Sequence, residues 1–143
     1  MDFTVQGLKT ASADALDRRV LTGARILMVE DEILIAMQLQ SIFEEHGAVV
    51  VGPCHTLAEA LRRAEHERIS AATLDLNLDR DSAMPVAAVL QRRSIPFVFY
   101  SVQRRGDPPI AGWSHIRVIS KPADPLVLVA ALRGLLTDEL LVG

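Results

Sequence analysis

The chain holds a single cysteine, Cys54, so no disulfide can close within it. A lone thiol suits a reducing compartment. It also lacks a basic surplus. Fifteen Lys and Arg stand against 18 Asp and Glu, for a formal charge of −3. Nucleic-acid binders generally carry a basic excess or stripe, so nucleic acid is not an expected partner. Long hydrophobic runs are missing as well. None approaches the about 20 residues that cross a bilayer, and the opening MDFTVQGLKT has no apolar core of a secretory signal. Together these absences point to a cytoplasmic protein without a membrane partner. What is present is 143 residues, half of them hydrophobic, which suits one domain with a buried core.

Residues 1–23 are small and polar and read as an N-terminal arm, flexible or carrying one short helix. Ser12 would cap that helix, with Leu16, Val20 and Leu21 on a narrow apolar face. From Ala24 the pattern changes. ARILMVE is a strand-length apolar run, and EILIAMQLQSIFEEHG places Ile33, Ile35, Ala36, Leu39, Ile42 and Phe43 at helical spacing before Gly47. AVVVGP is a second strand, ended by Pro53. TLAEALRRAEHE follows, with Thr56 and Glu59 at capping-box spacing. AATLDL is a third strand. SAMPVAAVLQRR is a helix that tolerates Pro85 only in its first turn. IPFVFYS is a fourth strand, QRRGDPPIAGWSH is irregular, HIRVIS is a fifth strand, and a last helix starts near Pro125. Strands alternating with helices imply a parallel sheet covered on both faces.

The third strand poses a question. An aspartate, Asp75, sits inside LDLNL, and burying a lone carboxylate is costly. In open α/β folds, chemistry gathers beyond the C-terminal ends of the strands. The first strand ends in Glu30-Asp31, with Glu32 opening the helix. The third ends in Asp75, the fourth in Ser101, and the fifth just before Lys121-Pro122. Three acidic groups, a hydroxyl and an ammonium from four strands therefore meet on one sheet edge. Carboxylates that close repel each other unless a cation intervenes. A hard divalent ion such as Mg²⁺, with oxygen ligands, relieves this.

This set of residues resembles the receiver domain of two-component response regulators, over roughly residues 24–137. The resemblance implies a receiver in residues 24–143, with the fold of a five-stranded, doubly wound (βα)5 flavodoxin-like sandwich whose fourth helix is short or irregular. It implies that Asp75 is a phosphoacceptor, taking a phosphoryl group from a histidine kinase or phosphotransfer protein. Asp31 would bind Mg²⁺ directly and Glu30 through water, with Asp75 and the backbone carbonyl of Asn77 also at the metal. Lys121 and Ser101 would contact phosphoryl oxygens, and the Lys121–Pro122 bond would be cis. Output would be a downstream protein target reached by contact, and a homodimer through the fourth-helix to fifth-helix face is family habit. With the domain ending at Gly143, a stand-alone receiver is expected.

DLNL, PVA and IPFVF resemble a receiver subgroup common in alphaproteobacteria, where the fourth strand often ends in a Thr-Gly pair and an aromatic. Here it ends Ser101-Val102-Gln103. Receivers usually carry proline and glycine where Asp79 and Ala83 stand, a small residue at Val102, and an aromatic switch at Val118. The bulk of Val102 is expected to slow phosphoryl entry or loss. Tyr100 is expected to pack on the opposite sheet face rather than stand in for the missing ring. These departures keep a second reading in view, a degenerate receiver that is an interaction module without phosphorylation. A third is a haloacid-dehalogenase-type phosphatase. Against it, Asn77 replaces the acid that class needs, the nucleophile is on the third strand, and Asp138-Glu139 lie past the last helix. His46, His55, His66 and His115 share no ligand spacing and are expected on the surface or in loops. Trp113 is expected to be a packing anchor, Arg104 and Arg105 a solvated pair, and Cys54 inert.

Overall fold

A computed structural model describes residues 19–102 and 110–142. The proposed helix around Ser12 and Leu16 and the Arg104–Arg105 pair lie outside the described residues. Five strands form one parallel sheet: β1 (Arg25–Val29), β2 (Val49–Cys54), β3 (Ala71–Leu74), β6 (Phe97–Ser101) and β7 (Val118–Ser120). Their order is β2-β1-β3-β6-β7, which is the doubly wound flavodoxin-like arrangement. Helices α1 (Ile33–Glu45), α2 (Leu57–His66), α3 (Met84–Arg92) and α4 (Pro125–Val142) complete the alternation among the described residues. Between β6 and β7 they show only a 3₁₀ turn, Ile110–Gly112, as a short or irregular fourth helix requires.

The period-two alternation of each strand divides the core. Leu27, Val29, Leu74, Phe97 and Phe99 face α2 and α3. Ile26, Met28, Val98, Tyr100 and Ile119 face α1 and α4. Trp113 packs edge-on against Phe97 and Phe99, the anchor role expected of it. Thr56 caps α2, its hydroxyl accepting from the Glu59 N–H at 3.2 Å.

Several local readings need correction. Pro53 does not end β2, which runs on to Cys54. An edge strand tolerates proline because one side of its ladder faces away from the sheet. LDRDSAMP does not lead straight into a helix. Asn77–Leu78 (β4) and Asp81–Ser82 (β5) pair as a small antiparallel hairpin, with Asp79 at φ 59°, and α3 starts only at Met84. Aspartate enters this left-handed region more readily than most residues. Asp138 and Glu139 do not follow the last helix but lie within it. Ile33 stands in the first turn of α1, beyond the end of β1, and is 63% exposed rather than packed. His46 is buried, donating from Nδ1 to the Ile42 carbonyl at 2.8 Å. Leu21 is fully buried and its N–H donates to the His46 carbonyl at 2.9 Å, so core packing reaches back ahead of Ala24.

Candidate functional site

Register brings the strand ends level. Val29 pairs with Leu74, and the Asp75 N–H donates to the Val29 carbonyl at 3.0 Å. Glu30 and Asp75 therefore leave neighbouring strands side by side. Leu74 pairs with Phe99, two residues short of Ser101, and the Lys121 N–H donates to the Ser101 carbonyl at 3.0 Å. Both X–Pro bonds at Gly52–Pro53 and Lys121–Pro122 are cis, the second as expected.

The side chains converge on Asp75. Lys121 Nζ donates to Asp75 Oδ2 at 2.8 Å, to Glu30 Oε2 at 2.9 Å and to Glu32 Oε2 at 3.1 Å. Ser101 Oγ donates to Asp75 Oδ1 at 3.2 Å, and the Asn77 N–H donates to the same oxygen at 3.1 Å. This resolves the puzzle of a carboxylate in an apolar run: β3 stops at Leu74 rather than including Asp75 and Leu76, and Asp75, just past its end, is buried but bonded through both oxygens. The Tyr100 ring lies under Lys121 at 5.5 Å, and its hydroxyl accepts from the Ala123 N–H at 3.3 Å. Tyr100 is thus packed on the far face, and it braces the segment that carries the lysine.

Glu30 lies deepest. Its N–H donates to the Cys54 carbonyl, and its own carbonyl accepts from His55 Nδ1 at 2.7 Å. Burial pushes its carboxyl up to about 7. The Lys121 hydrogen bond opposes that rise, and the Asp75 charge adds to it. Burial alone would lower Lys121, but hydrogen bonds to Asp75 and Glu30 override it and hold the ammonium above the usual lysine range. Burial, reinforced by the Glu59 charge, pushes the Cys54 thiol up to about 12, which suits an inert cysteine.

Outside this knot is a cleft of about 200 Å³ lined by Asp31, Glu32, Asp75, Asn77, Val102 and Lys121. Glu30 does not line it. Asp31 is drawn aside, accepting from the Asp79 N–H at 2.8 Å. Carboxylate oxygens of Glu30, Glu32 and Asp75 lie within 4.8 Å of one another. Those three carboxylates surround the Lys121 ammonium, whereas Asp31, Asp75 and Asn77 line the open cleft and offer the hard oxygen donors that fit a divalent cation such as Mg²⁺. Of the residues read from sequence, Glu30, Asp75, Ser101 and Lys121 form one bonded group, while Asp31 and Asn77 share its cleft. Glu32 was missed as a partner of Lys121. Its signal was weak, because an acid at a helix start is ordinarily a dipole partner.

A family model described as the response regulator receiver domain matches residues 26–133. The chain belongs to the receiver family. Among solved structures, a CheY-like receiver domain protein from Methanospirillum hungatei JF-1 aligns at TM-score 0.71 and 20% identity, covering 84% of this chain and 98% of that one. The Francisella response regulator 1452 receiver domain aligns at 0.70 and 17%, covering 82% and 99%. The response regulator PhyR from Brucella abortus aligns at 0.67 and 28%, covering 92% of this receiver but 54% of its own chain. No curated protein sequence matches the chain. The family is not one of classical enzymes, which takes the ground from the phosphatase reading. Among the described residues no helix is long and apolar enough to cross a membrane.

Proposed function

We propose that this receiver takes a phosphoryl group onto Asp75 from a histidine kinase or phosphotransfer protein and signals by protein contact in the cytoplasm. The receiver unit is residues 24–143, preceded by the arm of residues 1–23. One observation carries the reading: a buried carboxylate faces an acid-lined cleft while bonded to both an ammonium and a hydroxyl.

In the proposed reaction one Asp75 oxygen attacks the phosphorus of a phosphohistidine or acyl phosphate. A new O–P bond forms, and the bond to the donor breaks with its electron pair staying on the donor. Lys121 and Ser101 already touch Asp75, so small rotations let them meet the phosphoryl oxygens. Asp31, Asp75 and the Asn77 carbonyl would hold Mg²⁺, with Glu30 behind them through water. Bound there, the ion would neutralise charge between carboxylate and phosphoryl oxygens. The aspartyl phosphate adds about −1.5 to −2 charges and three acceptors, and Ser101 and Lys121 turn toward them. The only chemistry of its own would be self-phosphorylation and slow self-dephosphorylation. A downstream protein, or a second copy of the chain, reads the change.

The second reading, an interaction module without phosphorylation, draws on Val102 at the cleft and on an ammonium already held by three carboxylates. Incubation with Mg²⁺ and acetyl phosphate, followed by intact mass, separates the two. A gain of one phosphoryl group that Asp75→Asn abolishes supports the phosphoacceptor. No gain at any donor concentration leaves the interaction module.

A further inference from the structure

An ammonium has three N–H donors. In Lys121 they go to Asp75, Glu30 and Glu32, at 2.8, 2.9 and 3.1 Å. A phosphoryl oxygen reaching Nζ must displace one of these acceptors. Glu30 is 1% exposed, so giving up the ammonium would leave a carboxylate charge unpaired away from bulk solvent, which is costly. The Glu32 side chain is 60% exposed, and water replaces its partner at little cost. Asp75 is itself the group that carries the phosphoryl. Glu32 is therefore the partner that yields.

A second observation points the same way. Glu32 occupies the N-cap position of α1, yet its side chain makes no capping hydrogen bond. Thr56, at the same position of α2, caps in the ordinary way. The Glu32 carboxylate instead crosses the cleft to Lys121, while its N–H donates to Glu30 Oε2 at 3.1 Å. One residue thus links the start of α1 to the segment after β7.

We infer that Glu32 is a positioning residue that latches Lys121 in the unphosphorylated protein and competes with the incoming phosphoryl group for its ammonium. This rests on the phosphoacceptor reading of Asp75. Glu32 also places a negative charge on the cleft that an anionic phosphoryl group must enter. Its release frees the first turn of α1, where Ile33 and Leu34 stand 63% and 82% exposed.

The test compares wild type, Glu32→Ala and the same-sized Glu32→Gln, the second variant serving if the first folds poorly. Rates of phosphorylation by acetyl phosphate come from intact mass, Mg²⁺ affinity from calorimetry, and α1 amide shifts from NMR with and without beryllofluoride. Both variants should gain the phosphoryl group about two- to five-fold faster, the range that loss of one exposed ion pair allows. Mg²⁺ affinity should fall by no more than about two-fold, the effect of losing one exposed charge and no ligand atom. Beryllofluoride should move the Ile33 and Leu34 amides in wild type, and in the variants they should already be displaced without it. Slower phosphorylation with Mg²⁺ binding weakened further than that would make Glu32 a metal ligand and overturn the latch. So would an unchanged rate with unmoved amides. If wild type itself takes up neither phosphoryl nor beryllofluoride, the phosphoacceptor reading has failed, and the latch with it. Uptake by wild type with unaltered variants defeats the latch alone.

Discussion

The floor of this pocket and its rim are built on different terms. On the floor, Glu30, Asp75, Ser101 and Lys121 are nearly out of water, and each lies within 3.2 Å of another member. On the rim, the Glu32 side chain is 60% exposed and Val102 is 67% exposed. Charges on the floor have nowhere else to turn, so removing one leaves the others unpaired in a poor solvent for ions. Rim groups can always fall back on water. Floor substitutions should therefore appear as lost stability, and rim substitutions as altered rates in a fold that stays intact.

The sharpest way to break this contrast is Lys121→Met. It strands Glu30 and Asp75 together, and metal-free protein at pH 8 should lose about 3 kcal/mol in urea unfolding. A loss under about 1 kcal/mol would mean that the floor is wetter than its geometry implies. Next is the pH profile. Glu30 is raised from 4.5 to about 7 in the folded chain, so between those values the folded state binds more protons than the unfolded one. The contribution of Glu30 is most favourable below pH 4.5 and is lost as pH rises through 7. Without metal, wild type should lose about 2–3 kcal/mol across that window relative to Glu30→Gln, whose profile should be flatter. Parallel profiles for the two proteins would remove the buried carboxyl as the cause. The smallest effect is expected on the rim. Val102→Ala should leave stability within about 0.5 kcal/mol, while stopped-time mass measurements show faster gain or loss of the phosphoryl group. A stability loss comparable to that of Lys121→Met would place Val102 with the floor.

The floor was legible in the sequence and much of the rim was not, for a physical reason. Strand ends are marked by where an apolar run stops, and parallel topology then fixes which stops are neighbours. Glu30, Asp75, Ser101 and Lys121 follow from that alone. The path of a side chain after the stop depends on local backbone geometry that no period encodes. Asp79 at φ 59° turns its N–H to Asp31, and nothing in LDRD announces the hairpin that does so. Glu32 reads equally well as a cap or as a partner of Lys121. Leu21 and His46 read as arm and surface from sequence because Leu21 enters the core from ahead of β1 and meets the end of α1, its N–H donating to the His46 carbonyl, a contact that leaves no trace in periodicity.

The account stands or falls on Asp75 as the reactive group. Its most direct measurement is borohydride trapping after incubation with Mg²⁺ and acetyl phosphate, followed by peptide sequencing. Reduction of an aspartyl phosphate leaves homoserine. The account predicts homoserine at position 75 alone. An unaltered Asp75, or homoserine at any other acidic residue, would contradict it.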